Sequence, residues 1–242
     1  MTLPSELLPP QLARPVPVVE RRITLGNAGS DPATPCLVQL CFDDSWSLAS
    51  GNDPVGARYE EAKRAIRHVA SSSTTDMQQL AIFRFDHPAV EPVGPLPLHT
   101  KATAAELLAA VDPPEGITGA STLTPAMMAM NRAAEKHPEA NHVAVIFSDF
   151  ELFDLNPRQP YEEIAAFPGG VHAVVMNATP PAELLALSNV FMTQVSSLDP
   201  PGRLAAALAY SLTRHRPGAG QPSSRLERLQ LAPKRGGLDG AL

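Results

Sequence analysis

Short apolar runs alternate with longer amphipathic stretches along this chain. The apolar runs have the length and composition of strands buried on both faces of a parallel sheet, and they lie at 37–42, 79–85, 143–148, 171–176 and 190–195. Segments with helical spacing of apolar residues separate or follow them, at 54–68, 103–111, 126–136, 161–167, 181–187 and 201–214. This order predicts an α/β fold with a doubly wound, mostly parallel, Rossmann-like sheet of about six strands and helices on both faces.

The two ends of the chain differ in composition from this central segment. Residues 1–35 are rich in proline and predict an extended N-terminal arm, with one edge strand at 18–25. From Arg214 onward six basic residues stand against two acidic ones, although the whole chain carries a net charge of −6. We therefore predict a domain at 36–214 and a basic, flexible tail at 215–242. We interpret the tail as a solvated segment rather than a nucleic-acid-binding one.

Composition narrows the class of protein. The chain has 242 residues, of which 44% are hydrophobic, so it can bury a full core. Its two cysteines, Cys36 and Cys41, have an odd spacing in a predicted strand and should face opposite sides of the sheet, which excludes a disulfide between them. No signal peptide or membrane-spanning run is evident, so we expect a cytoplasmic protein with no membrane partner. The abundance of alanine, proline, arginine and leucine favours a bacterial source.

Three predicted loops at the carboxyl edge of the sheet are rich in oxygen ligands. The first follows strand 37–42 and contains Asp43, Asp44, Ser45 and Ser47. The second, at 119–125, is built of small residues and hydroxyls, and the strand 143–148 ends at Asp149. Ligands bind in this crevice of open α/β sheets, and carboxylate and hydroxyl oxygens suit a hard cation such as Mg²⁺.

These three motifs resemble those of the von Willebrand factor A domain. The segment 43–47 (Asp-Asp-Ser-Trp-Ser) resembles the family signature Asp-x-Ser-x-Ser, and 119–127 resembles its Gly-Gly-Thr-x-Leu-x-x-Ala-Leu loop. The strand that ends at Asp149 is similar to the family strand that ends in Thr-Asp-Gly, with Phe150 in place of the glycine. The resemblance covers about residues 36 to 214 and implies the fold of that family.

The resemblance also implies a metal-ion-dependent adhesion site. Its ligands would be Asp43, Ser45, Ser47, Ser121 and Asp149, with the hydroxyls bound directly and some carboxylates bound through water. The cation would be Mg²⁺, with Mn²⁺ or Ca²⁺ as alternatives, and a Glu or Asp of a partner protein would complete its coordination. The partners implied are components of bacterial multi-gene systems, such as AAA+ ATPases.

The residues themselves leave several roles open. Thr122 competes with Ser121 as the hydroxyl ligand, and we interpret Asp44 as a group that points away from the site, either solvated or in support of the ligands. We expect Thr124 to cap the next helix, because a proline follows it. We expect Glu151 and Asp154 to be surface acids, with support of the ligands as the alternative. The large apolar residues Trp46 and Phe150 would either form a docking surface or shield the site.

We predict a binding module without enzymatic activity, and two alternatives remain open. The first is a metal-dependent phosphotransfer domain of the receiver or phosphatase type, which would use Asp43, Asp44 and Asp149. The second is a structural subunit with a degenerate metal site. None of the seven histidines forms a pair with metal-ligand spacing, and the sequence contains no nucleotide-binding or nucleophile-elbow motif.

Overall fold

A six-stranded sheet forms the centre of the structure, a computed structural model that describes residues 23–48, 58–85, 91–113, 119 and 121–220. The strands are β1 (Cys36–Asp43), β2 (Gln78–Phe85), β3 (Val93–Pro97), β4 (Asn141–Ser148), β5 (Gly170–Met176) and β6 (Val190–Val195). Their order is β3-β2-β1-β4-β5-β6, and every neighbouring pair is parallel except β2 and β3. The predicted doubly wound, mostly parallel sheet is confirmed.

Helices cover both faces of the sheet. They are α1 (Arg58–Ala70), α2 (Lys101–Ala110), α3 (Thr124–Glu135), α4 (Gln159–Ala166), α5 (Ala182–Leu185) and α6 (Arg203–Thr213). One apolar core joins the sheet to α1, α2 and α6, and a second core joins it to α3, α4 and α5. Cys36 belongs to the first core and Cys41 to the second, and neither forms a disulfide, as their spacing predicts.

The edge strand β3 is the element that the hydrophobic pattern does not predict. The four prolines of segment 88–97 favour a connection that covers an edge of the sheet, whereas Val93–Pro97 is itself a strand and pairs antiparallel with β2. Proline is tolerated there because an edge strand needs only one of its two rows of backbone hydrogen bonds. The predicted edge strand at 18–25 lies largely outside the described residues, and the first four residues of the predicted helix 54–68 lie outside them too.

Arg216 belongs to the folded domain rather than to a solvated tail. Its guanidinium is buried and bonds to two segments that are distant in sequence. The acceptors are Ala28 O, Gly29 O, Asp31 Oδ1, Ser72 O and Oγ, Ser73 Oγ and Gln78 Oε1, at 2.7–3.2 Å. The residue after α6 therefore ties the start of the domain to the turn between α1 and β2.

A search of the described helices for one with the length and apolarity to cross a membrane found none.

Replacement of Arg216 by alanine should lower the free energy of unfolding by about 3 kcal/mol, because it leaves Asp31 and several buried acceptors without their cation. Urea denaturation measures this loss. Arg132→Ala, which removes an exposed arginine from α3, is the matched control and should change stability by less than about 0.5 kcal/mol. Equal midpoints for the two variants would contradict the assigned role.

Candidate functional site

Strands β1 and β4 end side by side at the carboxyl edge of the sheet, where a hydrogen bond joins them. The Ser148 hydroxyl donates to Asp43 Oδ2 over 2.6 Å, and the Ser45 backbone N–H donates to Asp43 Oδ1 over 2.9 Å. Asp43 and Ser148 are completely buried. Both oxygens of the Asp43 carboxylate are thus held in fixed directions.

The loop after β1 brings two hydroxyls together. Ser45 Oγ and Ser47 Oγ lie 3.0 Å apart, and Ser45 is buried. The turn that Asp43 makes with the Ser45 backbone holds the first hydroxyl next to the carboxylate. The sequence-predicted trio of Asp43, Ser45 and Ser47 is therefore one compact group in the structure.

The loop at 119–121 packs directly on this group. A Cβ atom on Gly119 would lie 2.7 Å from Ser45 Cα, so only glycine permits this approach. Ser121 is buried and has a φ of 46°, in the left-handed region. The Ser121 carbonyl accepts a hydrogen bond from the Phe153 N–H over 3.0 Å, which joins Ser121 to the loop after β4.

The loop after β4 carries the second carboxylate. Asp149 is buried, and its Oδ1 accepts a hydrogen bond from the Glu151 backbone N–H over 3.1 Å. Phe150 has a φ of 59°, which explains why glycine commonly stands at this position in the resembled motif. The Phe150 N–H donates to Ser148 Oγ over 2.8 Å, and this hydroxyl in turn donates to Asp43. The left-handed turn thus helps to fix the Asp43 carboxylate.

Burial of the Phe150 ring offsets the strain of its left-handed backbone conformation. Its ring is 4% exposed and packs in the core beside α3, α4 and α5. Burial of a phenylalanine side chain contributes about 2 kcal/mol or more, which offsets a left-handed strain of about 1–2 kcal/mol. Phe150 therefore stabilises the loop from the core side and contributes no docking surface.

Two predictions about the start of α3 are wrong. Thr124 is the first helical residue and not the cap, and its buried Oγ1 has no hydrogen-bond partner among the residues that the structure describes. Asp154 takes the capping role: its Oδ1 accepts from Thr124 N over 2.9 Å and its Oδ2 from Leu123 N over 3.0 Å. Asp154 is thus an anchor between the second and third loops rather than a free surface acid.

Asp44 is buried in an ion cluster and is not the solvated group that the sequence suggests. Its side chain is 1% exposed. Arg84 Nη1 donates to Asp44 Oδ2 over 2.7 Å, the Tyr59 hydroxyl donates to Oδ1 over 2.5 Å, and Arg58 lies 4.0 Å from Oδ1. Burial and the Asp44 charge raise the pKa of Tyr59 to about 12. Asp44 therefore fixes the loop to α1 and β2 from the face opposite Asp43.

The carboxylate of Asp43 is bonded to neutral groups, whereas that of Asp44 is paired with arginines. The partners of Asp43 are a hydroxyl and a backbone N–H, neither of which carries a net charge. Burial, together with the nearby charge of Asp149, raises the pKa of Asp43 from 3.8 to about 6, although its hydrogen bonds act in the opposite direction. A divalent cation beside Asp43 and Asp149 would offset this cost.

The donor set fits a hard cation in its chemistry. No group of three or more His, Cys, Asp or Glu side chains surrounds a common point within the part of the chain that the structure describes. A cation at this edge would therefore take two carboxylates, Asp43 and Asp149, and complete its coordination with serine hydroxyls and water. We call Asp43, Ser45, Ser47, Ser121 and Asp149 the candidate cation site.

Sequence reasoning missed the residues that support this site. Ser148 was assigned only to a strand, yet its place one residue before Asp149 in a neighbouring parallel strand is a usable signal. Arg84 is another such signal, because it interrupts an apolar strand and pairs in register with Phe42, close to Asp44. Tyr59 has helical spacing with the apolar residues of α1 and packs against the first core, and nothing in that pattern indicates its bond to Asp44.

Comparisons with known proteins identify the fold. No family profile matches the chain, and no curated protein sequence is significantly similar to it. Among solved structures, a von Willebrand factor type A protein from Catenulispora acidiphila is similar, with a TM-score of 0.57, 16% identity and 75% of this chain covered. The pilus adhesin SpaC from Lactobacillus rhamnosus GG is also similar, with a TM-score of 0.57, 11% identity and 77% of this chain covered. A proximal thread matrix protein of the mussel byssus has a TM-score of 0.52 and 15% identity, with 75% of this chain covered.

The chain spans 43%, 30% and 48% of the lengths of those three proteins, which is less than half of each. At such identities the likeness concerns the fold alone. The chain therefore has a von Willebrand factor A-type α/β fold, as the sequence motifs predict.

The raised pKa of Asp43 predicts how stability depends on pH in the presence of a chelator. The native state holds a proton that the unfolded chain releases between about pH 4 and pH 6, so the free energy of unfolding should fall as the pH rises through this window. The total change from this group is about 3 kcal/mol, and stability is flat above the window. Urea denaturation of the wild type and Asp43→Asn at several pH values measures the difference.

Asp43→Asn lacks the titrating group, so its stability relative to the wild type should rise across the window. Glu151→Gln, which removes an exposed acid from the next loop, should leave the wild-type dependence unchanged. Parallel curves for the wild type and Asp43→Asn would contradict the assignment.

Proposed function

We propose that this protein is a non-enzymatic binding module that recognises a protein partner through a Mg²⁺-dependent site at the carboxyl edge of its sheet. The observation that carries the proposal is the grouping of two buried carboxylates, Asp43 and Asp149, with the Ser45 and Ser47 hydroxyls. Mg²⁺ favours such oxygen ligands and keeps positions for water or for a ligand from outside.

The charge balance supports a partner that supplies a carboxylate. Two ionised aspartates would neutralise a divalent cation, and its remaining coordination position would accept a Glu or Asp. Without the cation, Asp43 and Asp149 would repel such a group. The resemblance of the three loops to an adhesion motif agrees with this mode of recognition, and it points to a component of a bacterial multiprotein system as the partner.

The environment of Asp44 favours binding over phosphotransfer. A receiver-type site would use Asp43 and Asp44 together, whereas Asp44 is held by Arg84 and Tyr59 on the face of the strand opposite Asp43. The second acid of the pair is therefore engaged in a structural ion pair.

Isothermal titration calorimetry with MgCl₂ tests the site. The wild type should bind one Mg²⁺, and Asp149→Asn should weaken that binding at least tenfold, because it removes one of the two charges that hold the cation. Glu151→Gln is the matched control: it removes a negative charge from the same loop but not from the donor set, and its affinity should stay within about twofold of the wild type.

Two results would refute the metal site. The first is the absence of binding heat in the wild type with both Mg²⁺ and Mn²⁺. The second is an equal loss of affinity in Asp149→Asn and Glu151→Gln, which would indicate diffuse attraction to an acidic surface.

A further inference from the structure

We propose that Trp46, Phe153 and Leu155 form a docking surface for large apolar side chains that flank the acidic residue of the partner. We call these three residues the apolar rim. The inference rests on the proposed function and specifies the partner's chemistry: a protein segment with a carboxylate for the cation and bulky apolar side chains next to it.

The apolar rim is exposed at the loops that carry the candidate cation site. Trp46 is 67% exposed and lies between Ser45 and Ser47, and it is the single tryptophan of the chain. Phe153 is 70% exposed and Leu155 is fully exposed, four and six residues after Asp149. Exposed apolar groups clustered at a polar site are typical of interaction surfaces.

Two backbone contacts place Trp46 and Phe153 close to predicted ligands. A Cβ atom on Gly119 would lie 3.1 Å from the Trp46 nitrogen and 2.7 Å from Ser45 Cα. The Phe153 N–H donates to the carbonyl of Ser121 over 3.0 Å. Trp46 and Phe153 therefore lie at the same edge of the sheet as the candidate cation site.

The backbone beneath the rim is fixed. Asp154 lies between Phe153 and Leu155, and its carboxylate accepts two hydrogen bonds from the first turn of α3. This anchor holds both neighbours in place while their side chains stay exposed. A preorganised apolar surface loses little conformational entropy on binding, and tryptophan is among the residues that contribute most at interfaces.

The charges around the rim select a protein segment over the other apolar occupants. Segments 43–48 and 149–155 contain five acidic residues and no Lys, Arg or His. Arg84 compensates Asp44, and the cation would compensate Asp43 and Asp149. Glu151 and Asp154 remain, and they would repel an anionic membrane or the same edge of a second copy of this chain. A protein segment avoids both repulsions if its carboxylate binds the cation and its apolar neighbours contact the rim.

Fluorescence anisotropy with labelled peptides tests the rim. The probes are drawn from an array of heptapeptides with a central Asp, Glu or Asn, flanked by Leu and Phe or by Ser, and the full-length protein is assayed with MgCl₂ and with EDTA. We expect Mg²⁺-dependent binding of acidic peptides, with apolar flanks preferred about tenfold or more over Ser flanks. Trp46→Ala and Phe153→Ala should each reduce that preference to about threefold or less.

Leu185→Ala is the matched control, because Leu185 is 59% exposed on α5 and belongs to none of the three loops, so its loss should leave the preference intact. Acid-dependent and Mg²⁺-dependent binding without a preference for apolar flanks would overturn the rim while the proposed function stands. A preference that survives in both rim variants would also overturn it. The absence of any Mg²⁺-dependent binding to acidic peptides would overturn the proposed function and the rim together.

Discussion

Two adjacent carboxylates at the end of a buried central strand determine the layout of this edge of the molecule. Successive side chains of a strand point to opposite faces, so Asp43 and Asp44 cannot share one environment. Asp44 meets Arg84 and Tyr59 on the face of α1 and α2, where its charge is compensated. Asp43 meets Ser148 and the Ser45 N–H on the face of α3, where only dipoles compensate it. The strand therefore separates a structural acid from an acid that needs a further counter-charge.

Strained backbone in the neighbouring loops helps to hold Asp43 in place, at a cost in stability. Ser121 and Phe150 are two of three described non-glycine residues with positive φ, and both lie in loops of the candidate cation site. Gly119 allows its loop to approach Ser45, and Asp154 ties the same region to α3. Strain of this kind persists only where the surrounding contacts hold it, and here the buried ring of Phe150 and the cap by Asp154 do so.

Periodicity and motifs were sufficient for the fold because its strands are buried on both faces. The run at 190–195 matches β6 residue for residue, and the other runs differ from their strands by two residues or fewer at either end. The strand β3 was not predicted, because the prolines in and around it are typical of a connecting loop. The ligand candidates follow local motifs, so they too could be chosen from sequence. The partners of Asp44 could not, because Arg84 and Tyr59 reach it only through the register of β1 with β2 and the packing of α1.

The contrast between Phe150 and Phe153 shows why the docking surface could not be read from the sequence. Both are phenylalanines in the same loop, and the one adjacent to Asp149 looks the better candidate for contact with a partner. A left-handed turn at Phe150 directs its ring into the core, and the anchor at Asp154 leaves its neighbour Phe153 outside. Exposure is thus decided by two backbone constraints that residue types do not encode locally. The same constraints fix the backbone that carries the exposed ring, so an apolar surface at this position can bind a partner with little loss of backbone conformational entropy.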